Sequence, residues 1–244
     1  MSLFSAHSLY KSFGGIGAVQ GVSLSVEPGE MLALIGPNGA GKSTCFAMLG
    51  GQIEPDMGEV RLNGVALHGG PVSFAHAGIG RSFQISKTFA SMSVGENVQT
   101  ALLAAQRQLW RLRSAADAQV KAEAICLLDR VGLAALADHD AATLAYGDTK
   151  RLELAITLAA TPRVLLLDEP TAGMAQRERR AAMELVASLA QDGIAVIFTE
   201  HDMQAVFSFA HRILVMDRGI LMAEGTPAEI AANPMVQNVY LGTV

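Results

Sequence analysis

Gly36-Pro37-Asn38-Gly39-Ala40-Gly41-Lys42-Ser43-Thr44 constrains the fold of this chain more than any other stretch. It fits G-x-x-x-x-G-K-[ST], and its flanks are those the pattern needs. Met31-Leu32-Ala33-Leu34-Ile35 before it is a short apolar run of strand type, and Ser43 to Leu49 after it has no helix breaker and ends at Gly50-Gly51. Strand, glycine-rich turn and helix together make a phosphate cradle. The glycines let backbone N–H groups curl inward, and the helix N-terminus adds positive partial charge. Lys42 is expected to reach the β- and γ-phosphates and Ser43 to ligate Mg²⁺. Gly36, Asn38, Gly39, Ala40, Gly41, Lys42, Ser43 and Thr44 are the candidate nucleotide-binding residues.

A chain of 244 residues, half of them hydrophobic, can build one large domain or two small lobes. No apolar run approaches the ~18 residues of a membrane span. Met1 to His7 lacks the basic start and long apolar stretch of a secretion signal, so a cytosolic protein is expected. Cys45 and Cys126 have no metal-ligand spacing and suggest no disulfide frame. Cys45 reads as a small core residue. The net charge of −5 argues against nucleic acid as the main partner. The mean hydropathy of +0.31 fits a chain that buries extra surface against a partner.

The first part reads as β-rich. Ala18 to Val26 alternates, Glu27-Pro28-Gly29-Glu30 turns into the phosphate-loop strand, and Asn63-Gly64 marks a hairpin turn after Glu59 to Leu62. Val94 to Leu133 is rich in Ala, Leu, Gln, Glu and Arg at helical spacing, as a helical insertion would be. Within it, Trp110 and the charges Arg107, Arg111 and Arg113 read as a solvated face. From Arg163 onward strand and helix alternate: Val164–Leu167 and Ala195–Phe198 as buried strands, Gln176 to Ala190 as the helix between, and a hairpin through Asp217-Arg218-Gly219. Such alternation predicts a mostly parallel sheet.

Val164-Leu165-Leu166-Leu167-Asp168-Glu169-Pro170 is an apolar strand ending in two acids. In an open α/β sheet this end lies beside the phosphate loop. Asp168 is the candidate Mg²⁺ ligand, directly or through water, and Glu169 the candidate base that polarises the attacking water.

With these motifs in order, nearly the whole chain resembles the ATP-binding subunit of ABC transporters. Arg81-Ser82-Phe83-Gln84 is similar to the family's Q-loop, and the resemblance implies that Gln84 contacts Mg²⁺ or water and senses the membrane partner. Leu144-Ala145-Tyr146-Gly147-Asp148 aligns with the signature, usually Leu-Ser-Gly-Gly-Gln, and Lys150-Arg151-Leu152-Glu153-Leu154-Ala155 follows as the family has it. Thr171 to Ala175 stands at the D-loop. In Thr199-Glu200-His201-Asp202, His201 is the switch histidine implied to touch the γ-phosphate, and Phe13 stands where the family puts a ring under adenine. The implied fold is an α/β P-loop NTPase (RecA-like) core with an N-terminal antiparallel β subdomain and an inserted α-helical subdomain. It forms a single domain, with 1–85 and 160–244 as core and 86–159 as the helical part.

Phe13-Gly14-Gly15, the signature, Glu169 to Met174 and the tail (Glu224 to Ile230, Asn233-Pro234, Tyr240 to Gly242) resemble the importer branch for branched-chain amino acids and related polar solutes. Four positions depart from the wider family. Ala145 lacks the signature hydroxyl, Tyr146 replaces its first glycine, Asp148 its glutamine, and Ala175 the D-loop aspartate. Ala145, Gly147 and Asp148 remain the candidates that present the signature helix to a second subunit's nucleotide, and Ala175 leaves coupling between subunits open. The resemblance implies ATP and Mg²⁺, membrane permease subunits, a second ATP-binding subunit (identical or paralogous), an external solute-binding protein, and a peripheral place on the cytoplasmic face of the inner membrane. The docking groove is expected near Gln84 to Met92, with Ile85, Phe89 and Met92 as apolar contacts. The cargo is not legible. Competing readings are an exporter or lipid-extraction motor, a soluble ATPase of the same family acting in DNA repair or on ribosomes, and a P-loop kinase or GTPase. The soluble ATPases typically carry paired cassettes, a coiled coil or a zinc hook, none of which is visible, and neither an acceptor site nor a guanine-reading motif supports the last.

Overall fold

A computed structural model describes residues 2–81, 88–106 and 118–241. Gln84, Ile85, Trp110, Arg107, Arg111 and Arg113 lie outside the described residues. Two sheets carry the architecture. The first is antiparallel, in the order β2-β1-β4-β5, built from β1 (Phe4–Phe13), β2 (Ile16–Val26), β4 (Met57–Leu62) and β5 (Val65–Ala66). The second runs β10-β9-β3-β8-β7-β6. Its strands are β3 (Met31–Ile35), β6 (Ile79–Arg81), β7 (Val164–Asp168), β8 (Ala195–Thr199), β9 (Arg212–Asp217) and β10 (Ile220–Gly225). All pair in parallel except the β9–β10 hairpin.

The central strands are apolar because both faces are covered, except at their carboxyl ends, where β7 closes with Asp168 and β8 with Thr199. Side chains alternate across a strand, so each strand feeds two cores. Met31, Ala33 and Ile35 of β3 join Leu165 and Leu167 of β7 and Val196 and Phe198 of β8 on one face. Leu32 and Leu34 join Val164, Leu166, Ala195 and Ile197 on the other, against the antiparallel sheet and Phe46 of α1 (Lys42–Leu49). Cys45 is fully buried in this second core, and burial pushes its thiol pKa up to about 12, so it is an unreactive core residue.

The helical segment comprises α3 (Val94–Ala105), α4 (Ala118–Arg130) and α5 (Tyr146–Leu158). Val94, Val98 and Leu102 of α3, Val120, Ala124 and Leu128 of α4, and Leu152, Ala155 and Leu158 of α5 recur at three to four residues and bury one stripe each. A capping box starts α3: Glu96 N–H donates to Ser93 Oγ at 3.1 Å, and Ser93 N–H to Glu96 Oε2 at 2.7 Å. α2 (Pro71–Ala77) precedes β6, α6 (Gln176–Gln191) and α7 (Met203–Phe209) flank β8, and α8 (Pro227–Ala232) and α9 (Pro234–Leu241) close the chain. Among the described residues no helix is long and apolar enough to cross a membrane.

Candidate nucleotide-hydrolysis site

The loop between β3 and α1 is shaped by contacts that admit no side chain. A Cβ on Gly36 would lie 2.2 Å from the Met216 carbonyl oxygen, and one on Gly41 2.2 Å from that of Ala18. Gly41 also holds a left-handed φ of 96°, which glycine adopts without strain. It stands at the N-cap of α1, where no side chain caps the helix and no acid occupies the first turn. The first intrahelical bond runs from Cys45 N–H to Gly41 O at 2.9 Å. The N–H groups of Lys42, Ser43 and Thr44 therefore point out of the helix with no intrahelical acceptor. Lys42 Nζ turns back on the loop, donating to Gly36 O at 2.7 Å and Pro37 O at 3.0 Å. Burial lowers its pKa, and the nearby charges of Glu169 and Asp168 oppose that shift. Uncapped donors, a buried ammonium and no acid in the first turn fit a phosphate chain.

The acids lie at the carboxyl end of β7, as the apolar run before them predicts. Asp168 is nearly buried; its Oδ1 accepts from Thr199 Oγ1 at 2.7 Å, and its Oδ2 is 3.7 Å from the Arg81 guanidinium. Thr199 pairs with Asp168 in the parallel register of β7 and β8. Glu169 has a left-handed φ of 49°, a strained conformation for a residue with a side chain. Its N–H donates to Thr199 Oγ1 at 3.0 Å and Thr199 O at 3.2 Å, which holds it there. His201 Nε2 lies 3.0 Å from Glu169 Oε1, so the histidine and the acid meet directly. Below them, Thr171 donates from N–H at 3.0 Å and Oγ1 at 2.6 Å to the buried carboxylate of Glu200. These residues open onto a cleft of about 350 Å³ lined by Glu169, Thr171, Ala172, Arg179, Glu200, His201 and Asp202. The exposed Ser43 hydroxyl and the buried Asp168 carboxylate are hard oxygen donors of the kind Mg²⁺ takes, an ion that keeps several waters and shares phosphate oxygens.

The signature residues sit elsewhere. Ala145 is the N-cap of α5 and supplies no side-chain cap. Ala145, Gly147 and Asp148 border a recess of about 60 Å³ with Arg151, Met174, Glu178 and Ala182, whose lining includes no phosphate-loop residue. Asp148 lies 3.6 Å from Arg151. Tyr146 reaches the 171–175 loop, its hydroxyl donating to Ala172 O at 3.1 Å. Ala175, without the aspartate, has its N–H taken by Glu178 Oε2 at 3.2 Å. Phe13 ends β1 with its ring half exposed and Lys11 Nζ 5.9 Å from the ring centre. The structure thus joins Lys42, Asp168, Glu169 and His201 at one end of the parallel sheet. Ala145, Gly147 and Asp148 of the signature line a different recess, and Gln84 lies outside the described residues.

Two partners of these acids, Arg81 and Thr199, escape a reading of the sequence, as does Glu200, the acceptor of Thr171. Arg81 and Thr199 lie within the quoted tetrads Arg81-Ser82-Phe83-Gln84 and Thr199-Glu200-His201-Asp202, but nothing local distinguishes them. Their partners come from β7, through the sheet pairing.

Comparison with known proteins agrees with this geometry. The family described as "ABC transporter" matches residues 19–172, and that described as "Branched-chain amino acid ATP-binding cassette transporter" matches residues 221–244. The high-affinity branched-chain amino acid transport ATP-binding protein LivG of Escherichia coli K12 is 38% identical over 98% of each chain. The lipopolysaccharide export system ATP-binding protein LptB of Acidithiobacillus ferridurans is 35% identical over 98% of this chain and 97% of that one. A solved structure, the ADP conformation of an ATP-binding cassette of an ABC transporter, superposes over all of both chains with a TM-score of 0.88 at 27% identity. The chain belongs to the ABC transporter family, as one of its nucleotide-binding, ATP-hydrolysing subunits.

Proposed function

We propose that this subunit energises an importer for branched-chain amino acids or related small polar solutes. The observation that carries the importer reading is the match of residues 221–244 to the branched-chain amino acid branch, since overall identity alone separates import from export poorly. The partners in this reading are two membrane permease subunits, a second ATP-binding subunit and an external solute-binding protein, with the chain peripheral on the cytoplasmic face of the membrane. Exposed Phe89, held by Asn97 through Phe89 N–H to Asn97 Oδ1 at 2.7 Å, and Met92 offer the permease an apolar contact.

In this reading the N–H groups of residues 39–44 receive the phosphates, and Lys42 exchanges Gly36 O and Pro37 O for phosphate oxygens. Phe13 stacks on the adenine. Ser43 and Asp168 hold Mg²⁺, with Gln84 nearby; when bound, the ion neutralises charge on the terminal phosphates. Glu169 accepts the proton of the attacking water. The contact with His201 orients that carboxylate and the Thr199 hydroxyl holds the Glu169 backbone beneath it, and the uncapped N-terminus of α5, with Ala145, Gly147 and Asp148, faces the nucleotide of the second subunit. Closure of two subunits on two ATP molecules moves the permeases, and hydrolysis releases them.

The test is reconstitution with the permeases and solute-binding protein in lipid nanodiscs. Leucine, isoleucine or valine on the binding protein should raise phosphate release several-fold. Stimulation by another solute alone would move the cargo, and stimulation only by a lipid-linked glycan would replace import by export, as the likeness to LptB would then explain.

A further inference from the structure

Asp168 faces a fixed positive charge within its own chain. Arg81 is the last residue of β6, which pairs in parallel with β7, and Arg81 is in register with Leu166, two residues short of Asp168. Its guanidinium reaches forward along the sheet and places Nη2 3.7 Å from Asp168 Oδ2, where both side chains are mostly buried. The other side of the guanidinium is anchored. Nη1 donates to Gln52 Oε1 at 2.5 Å and to Phe46 O at 3.3 Å, and the group lies 5.8 Å from the centre of the Phe46 ring. Nε is buried and has no hydrogen-bond partner among the described residues. The guanidinium is thus held from one side while one of its own donors goes unmet, and Nη2 is left beside the carboxylate. Lys42 also feels the charge of Asp168, but its hydrogen bonds go to Gly36 O and Pro37 O, whereas Arg81 forms the ion pair with Asp168.

We infer that Arg81 is the stand-in cation of Asp168: it holds the carboxylate's charge in the metal-free protein and opposes, electrostatically, the divalent cation that takes the charge over. The inference rests on the reading of Asp168 as a Mg²⁺ ligand. Its consequence has two opposite signs. Without metal, Arg81 screens the phosphates of ATP from a bare carboxylate and favours nucleotide binding. With metal, Arg81 is a second positive charge beside the same oxygens and weakens Mg²⁺ binding. Arg81 is thereby a positioning residue that makes nucleotide binding less dependent on Mg²⁺.

The experiment measures binding of a fluorescent ATP analogue to the full chain, first in EDTA and then across a Mg²⁺ titration, for the wild type, Arg81→Met and Arg81→Lys. A unit charge about 4 Å from the carboxylate, screened as fully as in bulk water, is worth about three- to tenfold in each equilibrium, which is the least the pair should contribute. Arg81→Met should bind the analogue more weakly in EDTA by that factor, yet reach half-saturation at a Mg²⁺ concentration lower by a similar factor. Arg81→Lys, which keeps the charge, should stay within about twofold of wild type in both, against the three- to tenfold expected from charge removal. A packing defect weakens both equilibria together, and an idle arginine changes neither; either result overturns the inference, as does an Arg81→Lys that behaves like Arg81→Met. Should Arg81→Met unfold, Arg81→Gln takes its place under the same criteria. A wild type that binds nucleotide identically with and without Mg²⁺ overturns instead the metal reading of Asp168.

Discussion

Thr199→Val removes one hydroxyl and almost no volume, and the structure lets its cost be worked out. That hydroxyl is fully buried, donates to Asp168 Oδ1 at 2.7 Å and accepts from Glu169 N–H at 3.0 Å. The first bond goes to a carboxylate and is worth about 1.5–3 kcal/mol. The second is worth less, about 0.5–1 kcal/mol, because Glu169 N–H keeps the Thr199 carbonyl at 3.2 Å as an acceptor. Valine opens no cavity, so the sum is about 2–4 kcal/mol, or a fall in Tm of roughly 4–16 °C for a chain of this size. The loss has a functional side as well. The hydroxyl pins Glu169 in its left-handed conformation, and freeing that backbone should lower kcat by about tenfold, the equivalent of 1.4 kcal/mol, while nucleotide affinity changes little. Thr199→Ser, which keeps the hydroxyl and loses one methyl, should cost about 1 kcal/mol and spare kcat. Thermal unfolding and phosphate release on the three proteins decide the matter. A valine variant as stable and as active as the serine variant would refute the assignment of both hydrogen bonds to catalysis and stability.

Phe13→Ala should raise the ATP dissociation constant about tenfold in a fluorescence titration, since base–aromatic stacking is worth about 1–3 kcal/mol; unchanged affinity would make the half-exposed ring idle. Phe89→Asp should leave Tm and ATP binding unchanged but lower solute uptake per ATP in proteoliposomes, because a charge would be desolvated against the permease without a partner; normal coupling would place the docking surface elsewhere. Asp202→Asn bears on pH. The Arg179 guanidinium and the N–H groups of α7 hold the Asp202 carboxyl below its ordinary value of 3.8. A depressed carboxylate contributes stability that is complete above that ordinary value and is lost as pH falls through the folded one. The variant should therefore lose less stability than wild type on acidification below about pH 4, and parallel acid-unfolding curves would contradict the pairing.

The parts of the fold that were legible in the sequence are those whose signal is local. Met31 to Ile35 reads as a strand because sheet burial on both faces leaves no polar position, and the strand has those bounds. The Gly36–Thr44 loop announces itself because two of its glycines meet backbone oxygens where no side chain fits. The helix at Gln176 and the hairpin at Arg218-Gly219 follow equally from period and turn chemistry. What was illegible is non-local. Asp168 and Glu169 can be named from their strand, but the residues that hold them come from three other places in the chain: Arg81 from β6, Thr199 from β8, and His201 from the turn after it. Sheet order, which no local pattern states, brings them together. Tyr146 was legible only as a departure from Gly; its bond to Ala172 O shows that the larger residue ties the start of α5 to the loop that follows the catalytic acids. β6 and α2 were missed because three and seven residues are too short for a period to stand out.

The central claim is that Glu169 is the base of an ATP-hydrolysing site whose phosphate-binding half is independent of it. Glu169→Gln keeps size and hydrogen-bonding capacity, including an oxygen or nitrogen for His201 at the same place, and removes basicity. Phosphate release measured alongside nucleotide affinity and solution mass is the direct test. The account predicts turnover lower by about 10²–10⁴-fold, ATP affinity at the wild-type level, and an ATP-stabilised dimer at gel filtration because the closed state is no longer reset by hydrolysis. Near-normal phosphate release from the Gln variant would contradict it.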